Sequence, residues 1–246
     1  MKIAVINQSA ELKGRDKDIA WMCWAWATQL QRDIMPEWGY ESLTIAPASD
    51  IKHVPADAMQ MLLVSNADVA NALGYHDVDP QNGRPYIRVF TRPILSNGGT
   101  LRTGPNSVSV TGSHELAELF CDRGANFWAS DADGVLHAVE LCDAVEQYAY
   151  DVTYGSTSTA VSNFVTQQFF RTVPENKKFD FMSLCSSSFQ ILDGGYDIYM
   201  KGGEVQQHFG REFWDWKKAA KSHPASRTSK RMARGKKILA SHLNGA

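Results

Sequence analysis

The chain opens on an unbroken apolar run, Ile3-Ala4-Val5-Ile6, of the kind carried by a strand buried on both faces. Asp16 or Asp18 then offers a cap for a long helix running to about Met35, ended by Pro36 and Gly39. Trp21, Met22, Cys23, Trp24 and Trp26 make that helix apolar round much of its circumference, which predicts packing on two sides. Residues 42–46 and 59–64 read as further strands, and Asn66-Ala67-Asp68 as the start of a short helix to Leu73. Asn82-Gly83-Arg84-Pro85 is a turn leading into a strand over residues 86–91.

Further on, Val108-Ser109-Val110 has the β-branched pattern of a short strand and Thr111-Gly112-Ser113 that of a turn. Ser113 would cap a helix from His114 to Phe120, whose apolar positions are Leu116, Ala117, Leu119 and Phe120. Asp131-Ala132-Asp133-Gly134 is a turn. Residues 135–142 form a strand or else begin a helix through Tyr148, the strand being preferred. Residues 148–154 and 161–165 are strand-like around a Gly155-Ser156-Thr157-Ser158 turn, and residues 196–200 and 204–208 flank Lys201-Gly202-Gly203. The expected class is α+β: a mixed sheet with helices, followed by a β-rich C-terminal half.

Composition adds bounds. A 246-residue chain with 43% apolar content can bury a full core. No acidic residue follows Asp215, whereas Lys217, Lys218, Lys221, Arg227, Lys230, Arg231, Arg234, Lys236 and Lys237 do. The expected organisation is therefore a domain over residues 1–216 and a basic arm over 217–246. Such an arm suits an acidic protein surface or non-specific contact with nucleic acid, and it lacks the interleaved aromatics of a base-stacking surface. Cys23, Cys121, Cys142 and Cys185 show no C-x-x-C spacing and are expected to be buried free thiols. Neither a signal-type apolar segment nor a membrane span is expected, so the pattern predicts a soluble chain made in a cytoplasm.

The chemistry concentrates in His114-Glu115-Leu116-Ala117-Glu118, an H-E-x-x-E sequence one residue away from the H-E-x-x-H helix of zinc peptidases. Residues four apart on a helix share a face, so His114 and Glu118 can grip one divalent metal, most simply zinc, while Glu115 works as general base on a metal-bound water. The same five residues can also be a solvated helix face carrying ordinary charges. Asp122, four residues after Glu118, can receive the outer N–H of a ligating imidazole or can simply begin a turn. A third ligand has to come from elsewhere. Glu140, 22 residues after Glu118, is the candidate, with Asp143 as a supporting carboxylate, although this stretch is acid-rich in any case. His76, in a loop-like Gly74-Tyr75-His76-Asp77 and oriented by Asp77, is a possible substrate or metal contact, or a solvated loop histidine. His137 would point away from Glu140 on a strand. Neither a Gly-x-Ser-x-Gly elbow nor a phosphate-loop signature is present.

Ser113-His114-Glu115-x-x-Glu118-x-x-x-Asp122, followed by Glu140-x-Cys142-Asp143-x-x-Glu146, resembles a family of uncharacterised proteins from tailed phages and bacteria. Gly83-Arg84-Pro85-Tyr86-x-x-Val89, Val161-Ser162-Asn163-Phe164-Val165-Thr166 and Gly194-Gly195-Tyr196 agree with it, and the likeness runs from about Leu73 into the basic tail. The family often has Asp-Pro where this chain has Asp122-Arg123 and Asp143-Ala144, which loosens two turns and removes no candidate ligand. The resemblance implies a zincin-like fold. It leaves two expectations open: a metallopeptidase acting on a peptide substrate, or a structural, virion-associated protein in contact with neighbouring subunits.

Overall fold

The computed structural model describes residues 1–69, 72–212 and 232–233. β1 (Lys2–Gln8) leads to α1 (Asp16–Gln29), which runs through a π-helical turn at Leu30–Ile34 into the short α2 (Met35–Trp38). β2 (Thr44–Ala48), β3 (Met59–Val64), β4 (Gly74–Val78) and β5 (Pro85–Phe90) follow, then α3 (Thr91–Ser96) and α4 (Val108–Cys121). The second half carries β6 (Trp128–Ser130), β7 (Leu136–Ala138), β8 (Ala149–Tyr154), β9 (Thr157–Ser162), β10 (Tyr196–Lys201) and β11 (Glu204–Phe209). The class is α+β, as the alternation of patterns predicts.

The first sheet has the order β2-β1-β3-β5-β4. Its first four strands are parallel, and β4 runs antiparallel to β5 at the border. Side chains alternate across a strand, so Ile3, Val5, Met61, Leu63, Ile87 and Val89 share one face. That face joins one core with Ile19, Met22, Cys23 and Trp26 of α1 and with Leu116, Ala117 and Leu119 of α4. Both helices therefore lie on the same side of the sheet, which is why the Trp-rich α1 is apolar on more than one flank. The other sheets are four-stranded β11-β10-β7-β6 and the two-stranded β8-β9 hairpin, whose β9 packs on α4.

Two glycines set how closely the layers approach. A Cβ on Gly112 would lie 2.4 Å from a ring carbon of Trp26, so only glycine lets α4 meet α1 here. The Trp26 indole N–H then donates to the Ser109 carbonyl at 2.9 Å. A Cβ on Gly74 would lie 2.7 Å from Thr111 Cγ2 and 3.1 Å from the Arg88 carbonyl. Gly74 thus lets the border strand sit down on α4.

The structure corrects several expectations. Residues 108–110 are the first turn of α4 rather than a strand, because burial against α1 and the sheet outweighs their β-branched preference. Ser107 is the cap, accepting the Val110 N–H at 3.2 Å. Ser113 lies inside the helix, where its hydroxyl donates to the Val110 carbonyl and accepts the Ser162 N–H of β9 at 2.7 Å. Arg15, not Asp16 or Asp18, holds the N-cap position of α1, with both aspartates in its first turn. The strand expected over residues 135–142 stops at Ala138 and gives way to a 3-10 turn at Asp143–Val145. Of the helix expected from Asn66 to Leu73, the described residues 66–69, 72 and 73 show none. The arm over 217–246 lies outside the described residues except for Met232 and Ala233. Met232 packs against the cluster of Ala138, Tyr196, Ile198, Met200 and Val205.

Candidate metal centre

α4 crosses beneath β4 with its polar motif turned inward. His114, Glu115 and Glu118 are 6%, 4% and 0% exposed, which excludes the solvated-face alternative. His76 comes to them from β4, so it is a strand residue and not the loop residue its Gly-Tyr-His-Asp setting suggests. Its Nδ1 lies 3.3 Å from Glu115 Oε2 and 3.5 Å from Glu118 Oε2. Asp77, next along the strand, faces the opposite way and accepts the Val78 N–H. The imidazole is thus oriented by the helix carboxylates.

The third side of the site is the segment between β7 and the 3-10 turn at Asp143–Val145. Glu140, Cys142 and Asp143 are all buried there. The Cys142 backbone N–H points at Glu118 Oε1 at 3.4 Å, and the Leu141 carbonyl accepts the Val165 N–H at 2.8 Å, which pins the segment from both sides. His114 Nε2 lies between Glu118 Oε1 at 3.1 Å and Asp143 Oδ1 at 3.2 Å. Asp143 thus faces the same imidazole nitrogen as Glu118, which places it beside the candidate metal position and not on the outer N–H of the ring. Asp122 takes the alternative role: its Oδ2 accepts the backbone N–H groups of Asn126 and Phe127, each at 2.7 Å, and closes the turn after α4.

Two triplets of ligand atoms gather within 4.8 Å of one another: His114, Glu118 and Cys142, and His76, Glu118 and Glu140. These buried groups can hold a metal ion. Glu118 belongs to both. Glu140 joins Glu118 through His76 rather than through His114. Cys142 is a buried free thiol in the core, as expected, and it also stands within reach of His114 and Glu118, which nothing in its spacing from a helix 24 residues earlier reveals. Cys23 and Cys185, like Cys142, are buried free thiols as expected, while Cys121 is half-buried.

Electrostatics fits a cation. Burial alone would depress the His114 imidazole, but the carboxylates of Glu118, Asp143 and Glu115 outweigh it and hold its pKa well above the ordinary histidine value. The Cys142 thiol is pushed well above its ordinary value, first by burial and then by Glu118, Asp143 and Glu115. A divalent ion would displace both protons, because thiolate and neutral imidazole are the ligating forms. Several carboxylates in a dry site repel one another at a cost of kilocalories unless a cation or proton offsets them.

His137 is separate from this site. Its Nδ1 lies 2.6 Å from Asp197 and its Nε2 3.3 Å from Asp131, with Phe189 against the ring. Among the described residues no helix is long and apolar enough to cross a membrane. Comparison of the chain with family models, with curated proteins and with solved structures finds no match.

Proposed function

We propose that the chain is a zincin-like, divalent-metal-binding domain arranged for metal-assisted hydrolysis of a peptide bond, with zinc as the ion. The observation that carries this is the placement of His114 and Glu118 on one buried face of α4, with Glu115 beside them and further donors closing on that face from β4 and the Glu140–Asp143 segment. Imidazole, carboxylate and thiol together are a donor set that zinc accepts. The five-stranded mixed sheet packed on the motif helix supports the scaffold.

A bound divalent ion supplies Lewis acidity, polarising a carbonyl and lowering the pKa of a water. The chain's own residues do the rest. Glu115 is held by His76 at 3.3 Å, so its carboxylate is positioned rather than free to swing. Its role is to take a proton from the attacking water and pass it to the leaving nitrogen. Asp143, against the same His114 nitrogen as Glu118, adds a carboxylate that favours a cation there. The low exposure of Glu115 and Glu118 keeps bulk water away from the transfer.

The test is digestion of a peptide mixture by the zinc-loaded full chain, read by mass spectrometry. Glu115→Gln should lower cleavage by about 100-fold or more, the scale of a lost general base, with metal content unchanged. No cleavage by the wild type, or cleavage undiminished in the variant, would contradict the hydrolytic role.

A further inference from the structure

The two oxygens of Glu118 face different imidazoles. Oε1 lies 3.1 Å from His114 Nε2, and Oε2 lies 3.5 Å from His76 Nδ1. Each imidazole heads its own donor triplet, with Cys142 on the His114 side and Glu140 on the His76 side. A carboxylate placed with one oxygen toward each of two donor sets is arranged as a bridge between two cations. We infer that the site holds two divalent metal ions, one among His114, Glu118 and Cys142 and the other among His76, Glu118 and Glu140, with Glu118 shared. The inference rests on the metal-binding proposal above and goes beyond its single ion.

Formal charge points the same way. Glu115, Glu118, Glu140 and Asp143 are all buried, and as carboxylates they carry four negative charges around two imidazoles. Metal ligation needs those imidazoles neutral and Cys142 as the thiolate, a fifth negative charge. One divalent ion therefore leaves three negative charges in a site that water barely reaches, and two leave only one. The donor types differ between the halves: thiol, imidazole and carboxylate suit zinc or cobalt, while one imidazole with two carboxylates also accepts a harder ion such as manganese. The thiol-containing half is therefore expected to be the more selective.

The position of His76 explains why a second half exists. It sits on the border strand that Gly74 lets down onto α4, so the second set of donors is assembled by tertiary structure and not by the helix motif. Glu115 Oε2, against His76 Nδ1, stays at the edge of that half.

The experiment is a titration of the chelator-stripped full chain with zinc alone, followed by calorimetry and by metal analysis after gel filtration. Two equivalents per chain are expected. His76→Ala should retain one, and Cys142→Ser should shift the affinity of the other. Cobalt(II) gives a readout that needs no variant. Two bound ions sharing a carboxylate should be exchange-coupled in electron paramagnetic resonance, and a sulfur-to-cobalt charge-transfer band should mark the Cys142 half. One equivalent in the wild type, or two magnetically independent ions, overturns the inference and leaves the single-metal proposal standing. Two equivalents that persist in a folded His76→Ala also overturn it. No bound metal at all overturns both.

Discussion

His76 Nδ1, on the border strand of the five-stranded sheet, lies 3.5 Å from Glu118 Oε2 on the motif helix. The contact joins two residues that are 42 positions apart in the chain and makes the edge of the sheet one wall of the candidate metal centre. Its geometry depends on how closely β4 approaches α4, and that approach is set by a residue with no side chain.

Gly74→Ala is therefore expected to disturb both fold and site. The new Cβ meets Thr111 Cγ2 at 2.7 Å and the Arg88 carbonyl at 3.1 Å, and the second of these is backbone that cannot swing aside. The cost should be that of an overpacked site, about 1–3 kcal/mol, read as a lower denaturant midpoint. Zinc affinity should fall with it, because His76 is carried outward with the strand. A variant of wild-type stability and affinity would show that the layers have more slack than this.

Asp122 separates a turn-forming role from a ligand-supporting one. Its side chain accepts two backbone N–H groups, so Asp122→Ala should cost about 1–3 kcal/mol of stability. Metal stoichiometry should be unchanged, and Asp122→Asn, which keeps an acceptor oxygen, should lose less. Loss of metal from a folded Asp122→Ala would instead assign it to the ligand histidine.

His137 gives the fold a pH dependence of known sign. Burial depresses this imidazole, but Asp197 and then Asp131 outweigh that and raise its pKa in the folded protein. In the unfolded chain it returns to about 6.5. The folded state thus binds the extra proton, so the stabilisation is full below about pH 6.5 and is lost as pH rises through the raised folded value. The difference in denaturant midpoint between wild type and His137→Gln should shrink as pH is raised above neutrality. A difference that grows over that range would contradict the assignment.

The half of the site on the helix was legible in the sequence because it is local: His114 and Glu118 share a face by helical spacing alone, and Glu115 is placed by the same geometry. Strand β3 and the β10-β11 hairpin were legible for a similar reason, being short apolar or alternating runs, the hairpin closed on glycines. β8 was legible too, but its partner was expected over residues 161–165 and runs over Thr157–Ser162, because the turn is only Gly155-Ser156. The start of α4 was not. Val108, Val110 and Thr111 favour extended backbone, and only the packing of Gly112 against Trp26 shows why the helix begins earlier. His76 read as a loop residue because Gly74 and Asp77 are turn formers, whereas Gly74 is there for close approach. Cys142 carried no signal as a donor, since its partnership with His114 and Glu118 is created by the chain returning past α4 to β9 and is invisible to spacing.

The most direct test of the account is the metal content of the purified full chain, measured by mass spectrometry of the elements, beside that of Glu118→Ala. Glu118 is fully buried and common to both donor triplets, so it is the one residue on which every proposed ligand set depends. The account predicts stoichiometric divalent metal in the wild type and its loss in a variant that remains folded by circular dichroism. Wild-type protein free of metal after purification and after incubation with zinc would contradict it.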